Sequence, residues 1–225
     1  MGSKVHNVAV LIDGGFFLKR YFKLFPKSQH TPDKVAKNVW DMAVKHVDSD
    51  NLYRIFFYDC EPITKKVHLP ISKKSLDFSK SEQAIFRKQF FEELKKKRKV
   101  ALRNGVLKAS GNWLLSPRAT KQLLNGDRKW EDLTDEDFLY DIRQKGIDMK
   151  IGVDISSLTL KKLVDKIVLI AGDADFVPAS KLARREGVDI VLDPMWNPIN
   201  PELFEHIDGL KTVCKNPVRN DERKG

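Results

Sequence analysis

Three times in this chain a largely apolar run stops at an acid or one residue short of it, and that pattern constrains the fold more than any other feature. Val8-Ala9-Val10-Leu11-Ile12 runs into Asp13-Gly14-Gly15, Leu52 to Tyr58 runs into Asp59, and Val168-Leu169-Ile170-Ala171 runs into Gly172-Asp173-Ala174-Asp175-Phe176. Continuous Val, Ile and Leu runs are the habit of strands buried on both faces, as in parallel sheets covered by helices. In open sheets of that kind the carboxyl ends of the strands are where sites form.

The segments between the runs support this reading. A helix is expected over about 16–25, and Thr31-Pro32-Asp33 supplies a cap residue and a proline for a second one, with Val35, Val39, Trp40, Ala43 and Val47 on one face. Phe176 to Glu186 reads as another helix, and Gly187 to Leu192 as a return to the sheet. Strands alternating with helices imply an α/β fold with a mainly parallel sheet and right-handed crossovers.

The middle of the chain is less regular. Residues 62–81 read as loop, Ser81 to Lys99 as an amphipathic helix, Val100 to Ala109 as a strand or a hairpin around Asn104-Gly105, 110–130 as an inserted excursion, and Asp135 to Gln144 as a helix. Ile147 to Ile155 alternates apolar and polar residues, which by period alone is a strand.

Charge is distributed unevenly. Residues 62–130 hold 18 Lys/Arg and 5 Asp/Glu, a balance of +13, which leaves 23 basic and 26 acidic residues, a balance of −3, elsewhere. A basic segment against an acidic remainder suggests a polyanion-binding surface. Lys95-Lys96-Lys97-Arg98-Lys99 is its densest part; cations complement a helix C-terminus, but five in succession exceed that need. Cys60 and Cys214 form no CxxC, and the five histidines show no ligand spacing, so disulfide, thiolate-zinc and histidine-metal readings are set aside. No P-loop or GxGxxG is present. Without a span-length apolar segment or a leader, the expectation is a soluble, cytoplasmic protein with no membrane partner.

Asp13, Asp59, Asp173 and Asp175 follow expected strands and would gather along one sheet edge. Carboxylates collected there repel one another, and a hard divalent cation, Mg²⁺ or Mn²⁺, relieves that repulsion and can activate water against a phosphate. Simpler roles compete: Asp13 in an Asx turn, and Asp173 or Asp175 as helix caps. Asp59, before Cys60-Glu61-Pro62, has the weakest case.

Leu11-Ile12-Asp13-Gly14, Lys145-Gly146-Ile147-Asp148 with Asp154, and Ile170-Ala171-Gly172-Asp173-Ala174-Asp175-Phe176-Val177-Pro178 resemble the three signature blocks of NYN domains, in family order. The family is a branch of the PIN-like nucleases, and the resemblance is closest to its LabA-like branch. It implies one PIN-like, three-layer α/β/α domain over 5–213, carrying the basic, partly inserted segment 62–130, with a flexible tail at 214–225. It implies a metal-dependent endoribonuclease in which Asp13, Asp148, Asp173 and Asp175 are catalytic and hold Mg²⁺ or Mn²⁺. RNA is then the partner, Lys95 to Lys99 and Lys145 are the expected nucleic-acid contacts, and a homo-oligomer is left open. The resemblance also favours a helix from Ile147, against the strand reading. On that helix Asp154 lies about 240° around from Asp148 and ranks behind it as a ligand. Phe16 stands where many family members have Asn, and 110–130 has no family counterpart.

Two other functions fit parts of the sequence. A non-catalytic RNA-binding module would keep the fold and the basic insertion. A phosphatase of the haloacid-dehalogenase kind would use Asp173 as nucleophile and Asp175 as acid/base in a DxD motif, but that motif belongs on the first strand of its fold.

Overall fold

A computed structural model describes residues 5–48 and 50–216; the part of the expected tail from residue 217 onward lies outside the described residues. In chain order the strands and α-helices are β1 (Asn7–Asp13), α1 (Gly14–Leu24), α2 (Pro32–Val47), β2 (Asn51–Cys60), β3 (Lys66–His68), β4 (Ser75–Asp77), α3 (Glu82–Lys95), β5 (Val100–Leu115), α4 (Pro117–Leu124), β6 (Phe138–Lys145), α5 (Ile147–Leu160), β7 (Lys166–Ile170), α6 (Val177–Arg185), β8 (Asp189–Asp193), α7 (Pro201–Glu205) and β9 (Gly209–Leu210). Seven strands form one mostly parallel sheet in the order β6-β5-β2-β1-β7-β8-β9, and β3 and β4 form a separate pair. The chain divides into two compact units: Met1–Asp59, Gln89–Gly105 and Gly146–Gly225 make the first, and Cys60–Lys88 and Val106–Lys145 the second.

In the first unit β1 is the central strand. Val8, Ala9, Val10, Leu11 and Ile12 are all fully buried, so both faces of the strand are covered, and each such aliphatic side chain contributes about 1.5–3 kcal/mol on leaving water. β1 pairs in parallel with β2 and β7, β7 with β8, and β8 with β9. The register sets Asp13 opposite Tyr58, Ile12 opposite Ile170, and Ile170 opposite Asp193. The carboxyl ends of four strands therefore share one edge. α1, α2 and α5 pack on β1, and α6 packs on β8 and α5.

Residues 147–160 are helical, as the family resemblance implies and against the alternation of the sequence. Ile147, Ile151, Ile155 and Leu158 are buried at helical spacing, whereas Met149 and Val153, which complete the period-two pattern, are 74% and 59% exposed. Gly146, at φ +83°, makes the turn into this helix, a conformation that costs glycine nothing. A Cβ added at Gly152 would lie 4.0 Å from the Ala179 methyl, an ordinary contact, so the packing of α6 on α5 does not depend on a glycine there.

The second unit departs most from expectation. The loop expected over 62–81 contains the antiparallel pair β3–β4, Lys66 opposite Asp77 and His68 opposite Ser75. No hairpin forms at Asn104-Gly105; β5 runs straight through both residues and on into the second unit. The helix expected over 135–144 is instead β6, antiparallel to β5 with Val106 opposite Lys145 and Leu115 opposite Phe138. Its physical signal is a two-residue period, Phe138, Tyr140 and Ile142 on one face, with Tyr140 stacked on Phe78 at 5.2 Å between ring centres. Counted over the whole unit, 14 basic residues face 10 acidic ones, because the acid-rich stretch from Asp127 to Asp141 belongs to it.

Candidate active site

Asp13 closes β1 and caps α1, its Oδ1 accepting the Phe16 amide at 3.1 Å. Gly14 is obligatory beside it: a Cβ there would lie 2.6 Å from Phe57 Cε1, 2.6 Å from the Tyr58 carbonyl oxygen and 2.9 Å from Asp59 Cβ. This close approach presses the start of α1 against the end of β2 and brings Asp13 beside Asp59. Burial chiefly, with the charges of Asp148 and Asp59, outweighs the lowering pull of the Phe16 and Gly15 amides and leaves the Asp13 carboxyl raised to about 6.

Asp148 is exposed in the first turn of α5, where its charge also suits the helix dipole. Its carboxyl is raised above the ordinary range by partial desolvation and then by the charges of Asp175 and Asp173. The charge of Asp148 thus acts on Asp13, and those of Asp175 and Asp173 act on Asp148. Asp173 and Asp175 are both exposed beyond β7, and Asp173 Oδ1 caps the short turn Ala174–Phe176 by accepting the Asp175 amide at 3.3 Å. Asp148 and Asp175 line one open groove of about 820 Å³, together with Met149, Val153, Pro178 and Glu202.

The other strand-end acids do different work. Asp154 accepts the Tyr58 hydroxyl at 2.8 Å and pairs with Arg103 at 3.0 Å, both through Oδ2. Arg103 also lies over the Phe56 ring at 5.1 Å, so this cluster braces β2, β5 and α5. Asp59, which sequence reasoning discounted, is buried at the end of β2 with its charge felt by Asp13. The turn signal at Glu61-Pro62 hid it, although the apolar run before it was the usable clue. Asp193 ends β8 but is fully buried and structural: it pairs with His46 Nε2 at 2.8 Å and accepts the Met195 amide.

The basic run lies elsewhere. α3 ends at Lys95, so Lys96 to Lys99 follow the helix rather than complete its last turn. Lys95 and Lys96 bridge Glu92 and Glu93, each at 2.6 Å, and the Lys99 amine donates to the Leu52 carbonyl. Leu52 is opposite Val8, five residues before Asp13 on β1, which at about 3.3 Å per residue is about 17 Å from the carboxylate edge. The structure does not bring Lys95–Lys99 together with the acids. Lys145 is exposed at the end of β6, in the second unit.

The donor set at the strand ends is carboxylate oxygen alone, the kind that hard divalent cations take; burial is the main cause of the raised Asp13 and Asp148 carboxyls, and the repulsion that adds to it is what such a cation relieves. The set fits Mg²⁺ or Mn²⁺ in chemical kind. Among the described residues no group of three or more His, Cys, Asp or Glu is already drawn into a metal cage. The phosphatase pattern has less footing, since its would-be nucleophile Asp173 follows β7 and caps a turn.

A mostly parallel sheet with electrostatically linked carboxylates at its strand ends defines an α/β protein with an acidic site. The family model of the NYN domain matches residues 47–196, and the chain belongs to the NYN family, whose members are generally nucleases of the PIN-like kind. The match holds Asp148, Asp173 and Asp175 and begins after Asp13. A protein of unknown function from Vibrio parahaemolyticus shares the fold, with 12% identity over 96% of this chain and 97% of that one and a TM-score of 0.50. A chain from "Structural Basis for the Mechanism and Regulation of Sir2 Enzymes" aligns at 8% identity over 93% and 87%, with a TM-score of 0.33 that supports no inference. No curated protein matches the chain. No helix among the described residues is long and apolar enough to cross a membrane.

Proposed function

We propose that this protein is a metal-dependent endoribonuclease, cytoplasmic and of the LabA-like branch, that hydrolyses RNA with Mg²⁺ or Mn²⁺ held by Asp13, Asp148, Asp173 and Asp175. The observation that carries the reading is Asp13, half-buried at the end of β1 and held by the Phe16 amide beside the buried Asp59, with its carboxyl raised to about 6. Perturbed acids gathered at an exposed sheet edge are the signature of a working site. When bound, the cation would polarise a phosphoryl oxygen and lower the pKa of a coordinated water.

The chain's own residues prepare that chemistry. The Phe16 and Gly15 amides fix the orientation of Asp13, and the Gly14 contact leaves its backbone no room to shift. Asp148 is the shared member, answering to Asp13 on one side and to Asp173 and Asp175 on the other. Asp173 spends one oxygen on its turn, which leaves Asp175 the freer carboxylate on the groove. Asp154, committed to Tyr58 and Arg103, positions α5 rather than serving as a ligand.

The test is purified protein with end-labelled single-stranded RNA in Mn²⁺, Mg²⁺ or EDTA. Cleavage by the wild type that is lost in EDTA and in folded Asp13→Asn and Asp148→Asn variants supports the reading. A non-catalytic RNA-binding module is the second reading, favoured by the open spacing of the acids and by Phe16 beside them. RNA binding without cleavage in any metal would establish it.

A further inference from the structure

The paired strands β5 and β6 present two unlike faces within the second unit. One carries Trp113 opposite Tyr140 and Leu115 opposite Phe138, and it is covered: Tyr140 stacks on Phe78, Trp113 lies 5.1 Å from Tyr140, and the Trp113 indole donates to the His68 carbonyl. The other carries Leu114 opposite Leu139, Lys108 opposite Arg143 and Val106 opposite Lys145. All six of these residues are exposed.

Lys108 opposite Arg143 is the telling pair. Like charges directly across a strand pair repel, and nothing in the fold requires them there. Asp141, two residues before Arg143 on the same face, pairs with Arg143 at 3.2 Å and is itself held by Ser110. One carboxylate against three cations leaves a net positive ladder. Arg143 and Lys145 repeat at about 6.6 Å, the two-residue step of a strand, a spacing suited to successive phosphates of an extended chain.

We infer that this outward face of β5 and β6, through Lys108, Arg143 and Lys145, is the surface that grips the RNA backbone. The inference rests on the ribonuclease reading for its choice of polyanion. Lys145 precedes Asp148 by three residues, so the chain that leaves the basic ladder enters the acidic helix α5 directly. A ladder that holds phosphates gives affinity without sequence preference, and the exposed Leu114–Leu139 pair offers apolar contact to an unstacked base or ribose.

The experiment measures binding alone. Fluorescein-labelled single-stranded RNA is titrated in EDTA, across a salt series, with the Asp13→Asn protein and with the same protein carrying Lys108→Gln, Arg143→Gln and Lys145→Gln. Each lost phosphate contact lowers the slope of log affinity against log salt by about 0.7, so the ladder variant is expected to lose about 2 in slope and about 10- to 100-fold in affinity at low salt. Lys95→Gln, Lys96→Gln and Arg98→Gln together should leave both nearly unchanged. An unchanged ladder variant overturns the inference, as does a helix-end variant that loses as much. Ladder-dependent binding to phosphatidylserine vesicles without ladder-dependent RNA binding overturns it in favour of a membrane. Because no cleavage is needed, failure of the nuclease reading and failure of this surface are read separately.

Discussion

Phe16 closes on Gly172 so tightly that a Cβ at position 172 would lie 2.5 Å from the ring's Cε2 and 2.9 Å from Cδ2. The contact ties the turn after Asp13 to the turn before Asp173, so the spacing of the two acids is set partly by a ring and a missing side chain. Gly172→Ala is expected to cost about 1–3 kcal/mol by overpacking. Phe16→Ala in the same chain should recover much of that loss, a coupling that urea unfolding of the two single variants and the double variant would measure. Strict additivity would show that the ring simply swings away.

Asp13 makes stability depend on pH in a definite direction. Folded, it keeps its proton up to about 6; unfolded, it releases it near 3.8. Between those values the folded state binds more protons, so the contribution of this group is whole below 3.8 and is lost as pH rises through 6. Asp13→Asn keeps an oxygen for the Phe16 amide and carries no charge. In EDTA the variant should match the wild type near pH 4 and exceed it at pH 7 to 8 by up to about 3 kcal/mol. Urea midpoints across that range check it, and added Mg²⁺ should stabilise only the wild type.

The neighbouring carboxylates on α5 should separate by role. Asp148→Asn removes the acid shared by the whole cluster and is expected to abolish cleavage. Asp154→Asn loses the Arg103 ion pair but still accepts the Tyr58 hydroxyl, so activity should fall by no more than about tenfold, with a stability loss below about 1 kcal/mol. Equal loss in single-turnover cleavage would make Asp154 a ligand.

His46 and Asp193 form a fully buried pair at the end of β8. His46→Ala leaves that buried carboxylate without its imidazole hydrogen-bond partner and should destabilise by about 3 kcal/mol. His46→Ala together with Asp193→Asn should be milder than His46→Ala alone, as thermal unfolding at pH 7 would show.

The first unit was legible because burial on both faces writes itself as apolar runs, and three such runs became β1, β2 and β7. Ile147 to Ile155 shows the limit: Ile147, Ile151 and Ile155 satisfy a helical period while Met149 and Val153 fill in a false strand period. β6 was missed because Asp135-Glu136-Asp137 resembles a helix start, and there it forms only a single short turn before the strand. Asp13, Asp173 and Asp175 could be named from sequence because chain topology gathers strand ends, whereas Asp148, on α5, is reached only through the resemblance of its block to the family signature. That Asp154 holds Arg103 and that Lys95–Lys99 stand at the other edge are consequences of side-chain geometry and strand register, which no spacing records.

Crystals soaked in Mn²⁺ and measured at the manganese edge put the acidic site to its most direct test. The account predicts an anomalous peak touching the Asp13 and Asp148 carboxylates, with Asp175 or Asp173 drawn in and the peak absent from Asp13→Asn crystals. A soaked crystal with no peak at that edge, or with manganese at Glu202 and Asp175 alone, would contradict it.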